Sequence, residues 1–204
     1  MTSSTPETPE AAEPQLVITG DRVGLGPLRA DLVPNYQRWI NDREVASGLG
    51  AHAVMTEEAE RDWYEQASRT RDGQAFFTVY DLEDLAPIGT ASLFDVDHLS
   101  GRATFGILLG ERRGQGLGTE ATRLTLEWAF SVLALYNVEL RVWEWNQPAI
   151  RAYAKAGFRE IGRRRGATVV MGRRYDAVLM DTIAPEFEGK ALTGLTPEGG
   201  EPIF

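Results

Sequence analysis

The stretch ERRGQGLGTEATRLTLEWAF, Glu111 to Phe130, decides how the rest of the chain is read. Its opening sets two arginines and three glycines within the seven residues 112–118. A simple turn needs one glycine, so three glycines beside arginines point to backbone left bare for an anion. Behind them Leu117, Ala121, Leu124, Trp128 and Val132 recur at helical spacing. That spacing predicts a helix over about Thr119–Ala134 with this stripe buried. The first N–H groups of a helix have no internal partner, and the helix dipole puts partial positive charge there. Phosphates bind such places readily. Gly114, Gly116 and Gly118 would let the backbone approach an oxyanion with no Cβ in the way. Arg112 and Arg113 would add direct charge.

Working outward, the preceding segments read as strands. QAFFTVYD (Gln74–Asp81), PIGTASLFDVD (Pro87–Asp97) and ATFGILLG (Ala103–Gly110) form a predicted antiparallel meander. Before it, RVGLGPLRA (Arg22–Ala30) is a strand running into a turn. DLVPNYQRWIND (Asp31–Asp42) is a helix with Asp31 as N-cap. MTEEAERDWYEQASRTRDG (Met55–Gly73) is a second helix, capped by Thr56 and ended by Gly73. After the Gly-rich helix come a strand (Asn137–Asn146), a short helix (Pro148–Gly157) and two strands (Phe158–Arg165, Arg174–Ile183). The fold class is therefore α/β (α+β): a mixed, mostly antiparallel sheet of about seven strands with helices on both faces.

Composition narrows the function. The 204 residues suit one domain. We take residues 1–15 as a disordered acidic tail with no secretory signal, 16–184 as the folded domain and 185–204 as an irregular C-terminal tail. There is no cysteine, and His52 and His98 lack ligand spacing, so no metal site is expected. No apolar run approaches the ~20 residues of a membrane span. A cytoplasmic protein without membrane contact is expected. The net charge of −9 disfavours nucleic acid and would suit a cationic substrate.

The loop is not a P-loop, because no lysine follows its glycines, and GQGLGT is not the dinucleotide G-x-G-x-x-G. Downstream, however, comes NQPAIRAYAKAGF, Asn146 to Phe158. The order R-x-x-G-x-G (Arg113–Gly118) followed by Asn146, Ala149, Tyr153, Lys155, Gly157 and Phe158 closely resembles the GNAT superfamily of acyl-CoA-dependent N-acyltransferases. The resemblance spans roughly Arg22 to Ile183. YQRWINDREV and RYDAVLM look like the branch named for ribosomal-protein alanine acetyltransferases.

The resemblance implies a set of roles. Arg112, Arg113, Gly114, Gln115, Gly116, Leu117, Gly118 and Thr119 would cradle the CoA pyrophosphate. FGILL (Phe105–Leu109), with Leu108 and Leu109 at its end, would pair with the pantetheine amides and polarise the thioester carbonyl. Asn146 and Ala149 would line the thiol end, with Asn146 also able to cap the helix. Tyr153 would protonate the leaving thiolate. For the general base the order of candidates is Glu144, then Asp95, Glu139 and His98, with an ordered water as a further route. Lys155 reads as a solvated lysine. Acceptor recognition would fall to the first two helices and the linker EVASGLGAHAVM (Glu44–Met55). Trp39, Trp63 and Tyr64 read there as core. The basic hairpin Gly162–Asp176 reads as solvated. The implied reaction is direct transfer of acetyl from acetyl-CoA, without metal, to a primary amine. That amine is a protein N-terminus or a small cationic amine such as a polyamine, amino sugar or aminoglycoside. The resemblance is compatible with a homodimer. The alternative from another class is a CoA-binding sensor or assembly protein without catalysis.

Overall fold

The computed structural model describes residues 13–50, 54–69, 74–189 and 192. Among them the strands are β1 (Ile18–Thr19), β2 (Val23–Pro27), β3 (Ala75–Asp81), β4 (Pro87–Asp97), β5 (Arg102–Leu109), β6 (Asn137–Trp143), β7 (Arg159–Val170) and β8 (Arg173–Ile183). The helices are α1 (Val33–Ile40), α2 (Arg43–Leu49), α3 (Glu57–Ala67), α4 (Leu117–Glu127) and α5 (Gln147–Ala156). The strands form one mixed sheet of eight in the order β1-β2-β3-β4-β5-β6-β8-β7. The eighth is the two-residue β1, too short to give a pattern in sequence. Every neighbouring pair is antiparallel except β5 and β6.

Alternation along the strands builds two apolar layers. On one face Phe105, Ile107 and Leu109 meet α4, α5 and the segment after α4. On the other, Leu108 and Phe76 meet Tyr36 and Trp39 of α1 and Trp63 of α3. Helices thus cover both faces, as expected.

Several local expectations change. Asp31 does not cap α1. It lies in a short 3-10 turn, Ala30–Leu32, and its carboxylate pairs with Arg29 at 2.6 Å. Part of the linker Glu44–Met55 is helical: it holds most of α2, capped by Asp42, whose Oδ1 accepts from the Glu44 and Val45 amides. Short length and a serine-glycine pair hid it. Thr56 does cap α3, accepting from the Ala59 amide at 3.1 Å. That helix ends at Ala67, and Gly73 lies outside the described residues. β6 stops at Trp143, short of Asn146, and β7 runs on to Val170.

The buried stripe of α4 holds through Leu117, Ala121 and Leu124 but not at Val132, which is 48% exposed. Residues Trp128–Val132 form a π-turn. The extra residue shifts the helix phase, keeping Ala129 and Phe130 buried and turning Val132 outward. Part of the C-terminal segment packs on α4: the Phe187 ring lies 5.3 Å from that of Phe130, and the Leu192 amide donates to Glu127.

One glycine fixes how α1 meets the Gly-rich loop. A Cβ on Gly110 would lie 2.0 Å from the Trp39 indole. Trp39 is 1% exposed and its Nε1 donates to Glu111 at 3.1 Å. Gly110→Ala is therefore expected to cost about 2–3 kcal/mol of stability, read as an earlier midpoint in urea. An unchanged midpoint would show that the indole can move aside.

Candidate active site

β5 and β6 pair only through Arg102–Asn137, Ala103–Val138 and Thr104–Glu139. Beyond Thr104 they part. β5 stays paired with β4 as far as Leu109, and β6 stays paired with β8 as far as Trp143. Among the described residues, the β5 edge over residues 105–109 is thus left without a strand partner on the β6 side. Such an edge offers N–H and C=O groups to an extended, amide-containing ligand. Helices α4 and α5 follow the carboxyl ends of these two parallel strands, so both helix starts lie at the crevice where ligands bind in open α/β sheets.

The Gly-rich loop opens α4. Gly114 and Gly116 have φ of +80° and +87°, and a Cβ on either would meet nothing within 4 Å. Their left-handed conformation needs glycine, and the space above them is open for a ligand. Gly118 differs from its sequence reading: its Cβ would lie 2.9 Å from the Leu109 side chain, so it serves the packing of α4 on β5. Leu117 is buried in the core beneath the loop, while Thr119 turns its amide back to Gly116 O at 3.0 Å. The Gln115 carbonyl accepts from Arg22 at 3.0 Å.

The two arginines part ways. Arg112 reaches Asp81 Oδ2 at 2.6 Å and Asp84 Oδ2 at 2.5 Å, so its charge is matched by the β3–β4 turn. These pairs hold both carboxyls below the usual carboxylate range. Arg113 lies across the crevice mouth, with Asp42 Oδ1 at 2.9 Å and Glu44 Oε2 at 3.2 Å.

Helix α2 bridges that mouth. Arg113 holds its start, and the end of β6 holds its other end. Trp145 Nε1 donates to Ser47 O at 3.1 Å, Asn146 Nδ2 to Gly48 O at 3.4 Å, and Trp143 Nε1 to Leu49 O at 2.9 Å. Three neighbouring side chains thus cap three successive helix carbonyls. The two indoles stack at 5.4 Å and 7°, with Arg141 over Trp143 and Tyr175 edge-on to Trp145. Asn146 also caps α5, accepting from the Ala149 amide at 3.3 Å.

Tyr153 lies on α5, its ring 6.1 Å from Phe105 and 6.0 Å from Phe158. Phe105 is the first β5 residue past the last β5–β6 pair. The Tyr153 hydroxyl has no hydrogen-bond partner among the described residues, and burial pushes its pKa up to about 12.

The general-base candidates are not gathered at the crevice. Glu144 Oε1 accepts from the Asp176 amide at 2.8 Å and Oε2 faces Arg163 at 3.9 Å, which commits the carboxylate to the β7–β8 ribbon. Asp95 sits in a bulge with φ +52°, and His98 is exposed in the β4–β5 turn. Both lie at the end where β5 and β6 are still paired, opposite the Gly-rich loop. Glu139 is exposed on β6 at the last β5–β6 pair. Lys155 is exposed, as read. A carboxylate that sequence reasoning passed over, Glu60 of α3, lines a cavity on the α1–α3 face together with Trp39, Trp63 and Leu108. Its spacing to Trp63 and Tyr64 was the available signal, since i, i+3 and i+4 share a helix face.

Comparison with known proteins agrees with this geometry. Residues 22–159 match the family described as acetyltransferase (GNAT) domain. The SPbeta prophage-derived uncharacterized N-acetyltransferase YokL of Bacillus subtilis is 30% identical over 83% of this chain and 94% of its own. Spermidine N(1)-acetyltransferase of Escherichia coli is 34% identical over 45% of this chain, and the match spans only half of that protein. Among solved structures, spermidine N-acetyltransferase from Vibrio cholerae, in complex with CoA and spermine, superposes with a TM-score of 0.75 at 21% identity, covering 81% of this chain and 98% of that one. A GCN5-related N-acetyltransferase from Brucella melitensis gives 0.69 at 26%, covering 86% and 82%. The chain belongs to the GNAT acetyltransferase family. Among the described residues no group of His, Asp and Glu is placed to hold a metal, and no helix is long and apolar enough to cross a membrane.

The brace on α2 can be tested directly. Trp143→Phe keeps a ring and removes the donor to Leu49 O. The loss of about 1 kcal/mol should speed hydrogen exchange in the last turn of α2 by roughly fivefold while β6 amides stay protected. Equal exchange in the two proteins would show that the indole does not hold the helix.

Proposed function

We propose that this chain is an N-acetyltransferase that moves the acetyl group of acetyl-CoA directly to a primary amine. The observation that carries the reading is the parting of β5 from β6, with the Tyr153 ring packed on Phe105 at the point of divergence and its hydroxyl without a hydrogen-bond partner among the described residues. Bound there, acetyl-CoA supplies an activated acyl thioester.

Each residue then has a defined task. The open backbone at Gly114 and Gly116 and the start of α4 receive the pyrophosphate. Arg113, half-exposed beside the loop, adds charge, whereas Arg112 anchors the loop to Asp81 and Asp84. The β5 edge at 105–109 takes the amide arm as an added strand. Asn146 and Ala149 start α5 beside the thiol end. Tyr153 donates its phenolic hydrogen to the departing sulfur. With its pKa raised to about 12, it stays protonated throughout the neutral and mildly alkaline range. Since the neutral form is the one the fold stabilises, the phenol is a hydrogen donor below its folded pKa and is lost as one only above it. The spermidine acetyltransferases among the relatives support a small amine acceptor, as does the net charge of −9.

Incubating the protein with acetyl-CoA and a panel of amines should release free thiol. CoA binding without release for any amine would instead support a sensor. Tyr153→Phe should lower kcat about 100-fold with CoA affinity unchanged. Its alkaline absorbance titration should differ from that of the parent only near pH 12. A difference centred near pH 10, the ordinary phenol value, would show that the ring is not desolvated.

A further inference from the structure

On the α1–α3 face, beside Leu108 of β5, lies a cavity of about 200 Å³. Its walls are aromatic: Tyr36 and Trp63 meet edge-on with centroids 5.8 Å apart, and Trp39 lies 5.8 Å from Tyr36. One carboxylate lines it. Glu60 is 6% exposed, and no hydrogen bond or ion pair reaches its carboxylate among the described residues. Burial alone holds this carboxyl above the usual carboxylate range. A buried carboxylate without a partner is costly. Its place in the first turn of α3 offsets only part of that cost through the helix dipole. Such a group fits a site where a ligand brings the missing charge.

The rest of the lining narrows the ligand. The Tyr36 hydroxyl is engaged with Thr78 Oγ1 at 2.6 Å and the Arg29 amide at 3.2 Å. The Trp39 Nε1 donates to Glu111. Apart from Glu60, only the Thr90 hydroxyl is left on these walls to meet the several hydroxyls of a sugar amine, and unmatched buried polar groups weigh heavily against binding. An ammonium on an alkyl chain brings one charge for Glu60, a cation for the ring faces and methylenes for the apolar wall.

We propose that Glu60 receives the acceptor, pairing with the ammonium of an alkyl amine inside this aromatic cavity and taking its proton. The claim rests on the N-acetyltransferase reading above and gives it a substrate class. In the proton transfer one N–H bond of the ammonium breaks and one O–H bond forms on Glu60, leaving a neutral amine with a free lone pair beside a neutral acid. Glu60 returns that proton to solvent after turnover.

The test compares the parent protein with Glu60→Gln, using spermidine, n-butylamine and glucosamine as acceptors. CoA affinity and melting temperature are followed alongside. The parent should prefer the alkyl amines to glucosamine by about tenfold or more in kcat/KM. Glu60→Gln should lose about 100-fold in kcat/KM for the alkyl amines while CoA affinity holds within about twofold. Its melting temperature should not fall, because an amide replaces an unpaired buried charge. The proposal is overturned if Glu60→Gln keeps its kcat/KM, if the loss follows CoA affinity or melting temperature, or if the parent prefers glucosamine. A parent protein that binds no CoA, or acetylates no amine, defeats the N-acetyltransferase reading itself and this proposal with it.

Discussion

Strands β5 and β6 share three parallel pairs and then diverge, and the rest of the molecule is arranged around the gap. Each strand is fully committed on its outer side, β5 to β4 and β6 to β8. At the point of divergence Phe105, Tyr153 and Phe158 form a three-ring cluster with centroids 5.8–6.1 Å apart. Closing the sheet would require those rings to find another place in a close-packed core. The gap is therefore held open by packing, and an unpaired strand edge, ordinarily an aggregation hazard, sits inside the domain under the cover of α2.

That cover ties the two sides of the crevice together. Arg113 belongs to the loop at the end of β5, yet its guanidinium is paired with Asp42, the cap of α2. The far end of α2 hangs from Trp143, Trp145 and Asn146 at the end of β6. An anion drawn to the loop competes with Asp42 and Glu44 for one guanidinium. Because Asp42 also caps α2 through two amide hydrogen bonds, the helix keeps its own start when Arg113 turns away. Exposed ion pairs of this kind are weak, so the exchange costs little.

Much of the architecture was legible in the chain. The meander, the Gly-rich loop, α3 and α5 follow from alternation, glycine placement and capping residues, all local signals. What escaped depends on distant partners. The R-x-x-G-x-G spacing singles out Arg113, but the fate of Arg112 turns on Asp81 and Asp84, some thirty positions upstream. The stripe that includes Val132 assumes an unbroken α-helix, and the π-turn at Trp128–Val132 breaks the phase. Glu144 sits one residue past β6, so strand alternation could not say where its carboxylate points. Gly118 shares a spacing with Gly114 and Gly116 but answers to the Leu109 side chain rather than to a ligand.

Several departures from local rules gather near the crevice, while left-handed φ values also occur away from it at Leu85, Asp95, Ala134 and Met171. Arg112 adopts a left-handed φ of +50° at the head of the Gly-rich loop. The β5 edge is unpaired beside it, and Gly110 admits the Trp39 indole to van der Waals distance at the end of the same strand. On the other side of Leu108, Glu60 is buried with no partner for its carboxylate among the described residues. None of these helps the fold by itself: a non-glycine residue in the left-handed region, an open strand edge and a lone buried carboxylate each oppose stability. Chains retain such costs where function requires them and make them up elsewhere. Here the compensation is visible in the aromatic packing of α1 on α3 and in the Arg112 pairs with Asp81 and Asp84. The same apolar walls that raise the cost of Glu60 lower the local dielectric, which would strengthen its pairing with a cation.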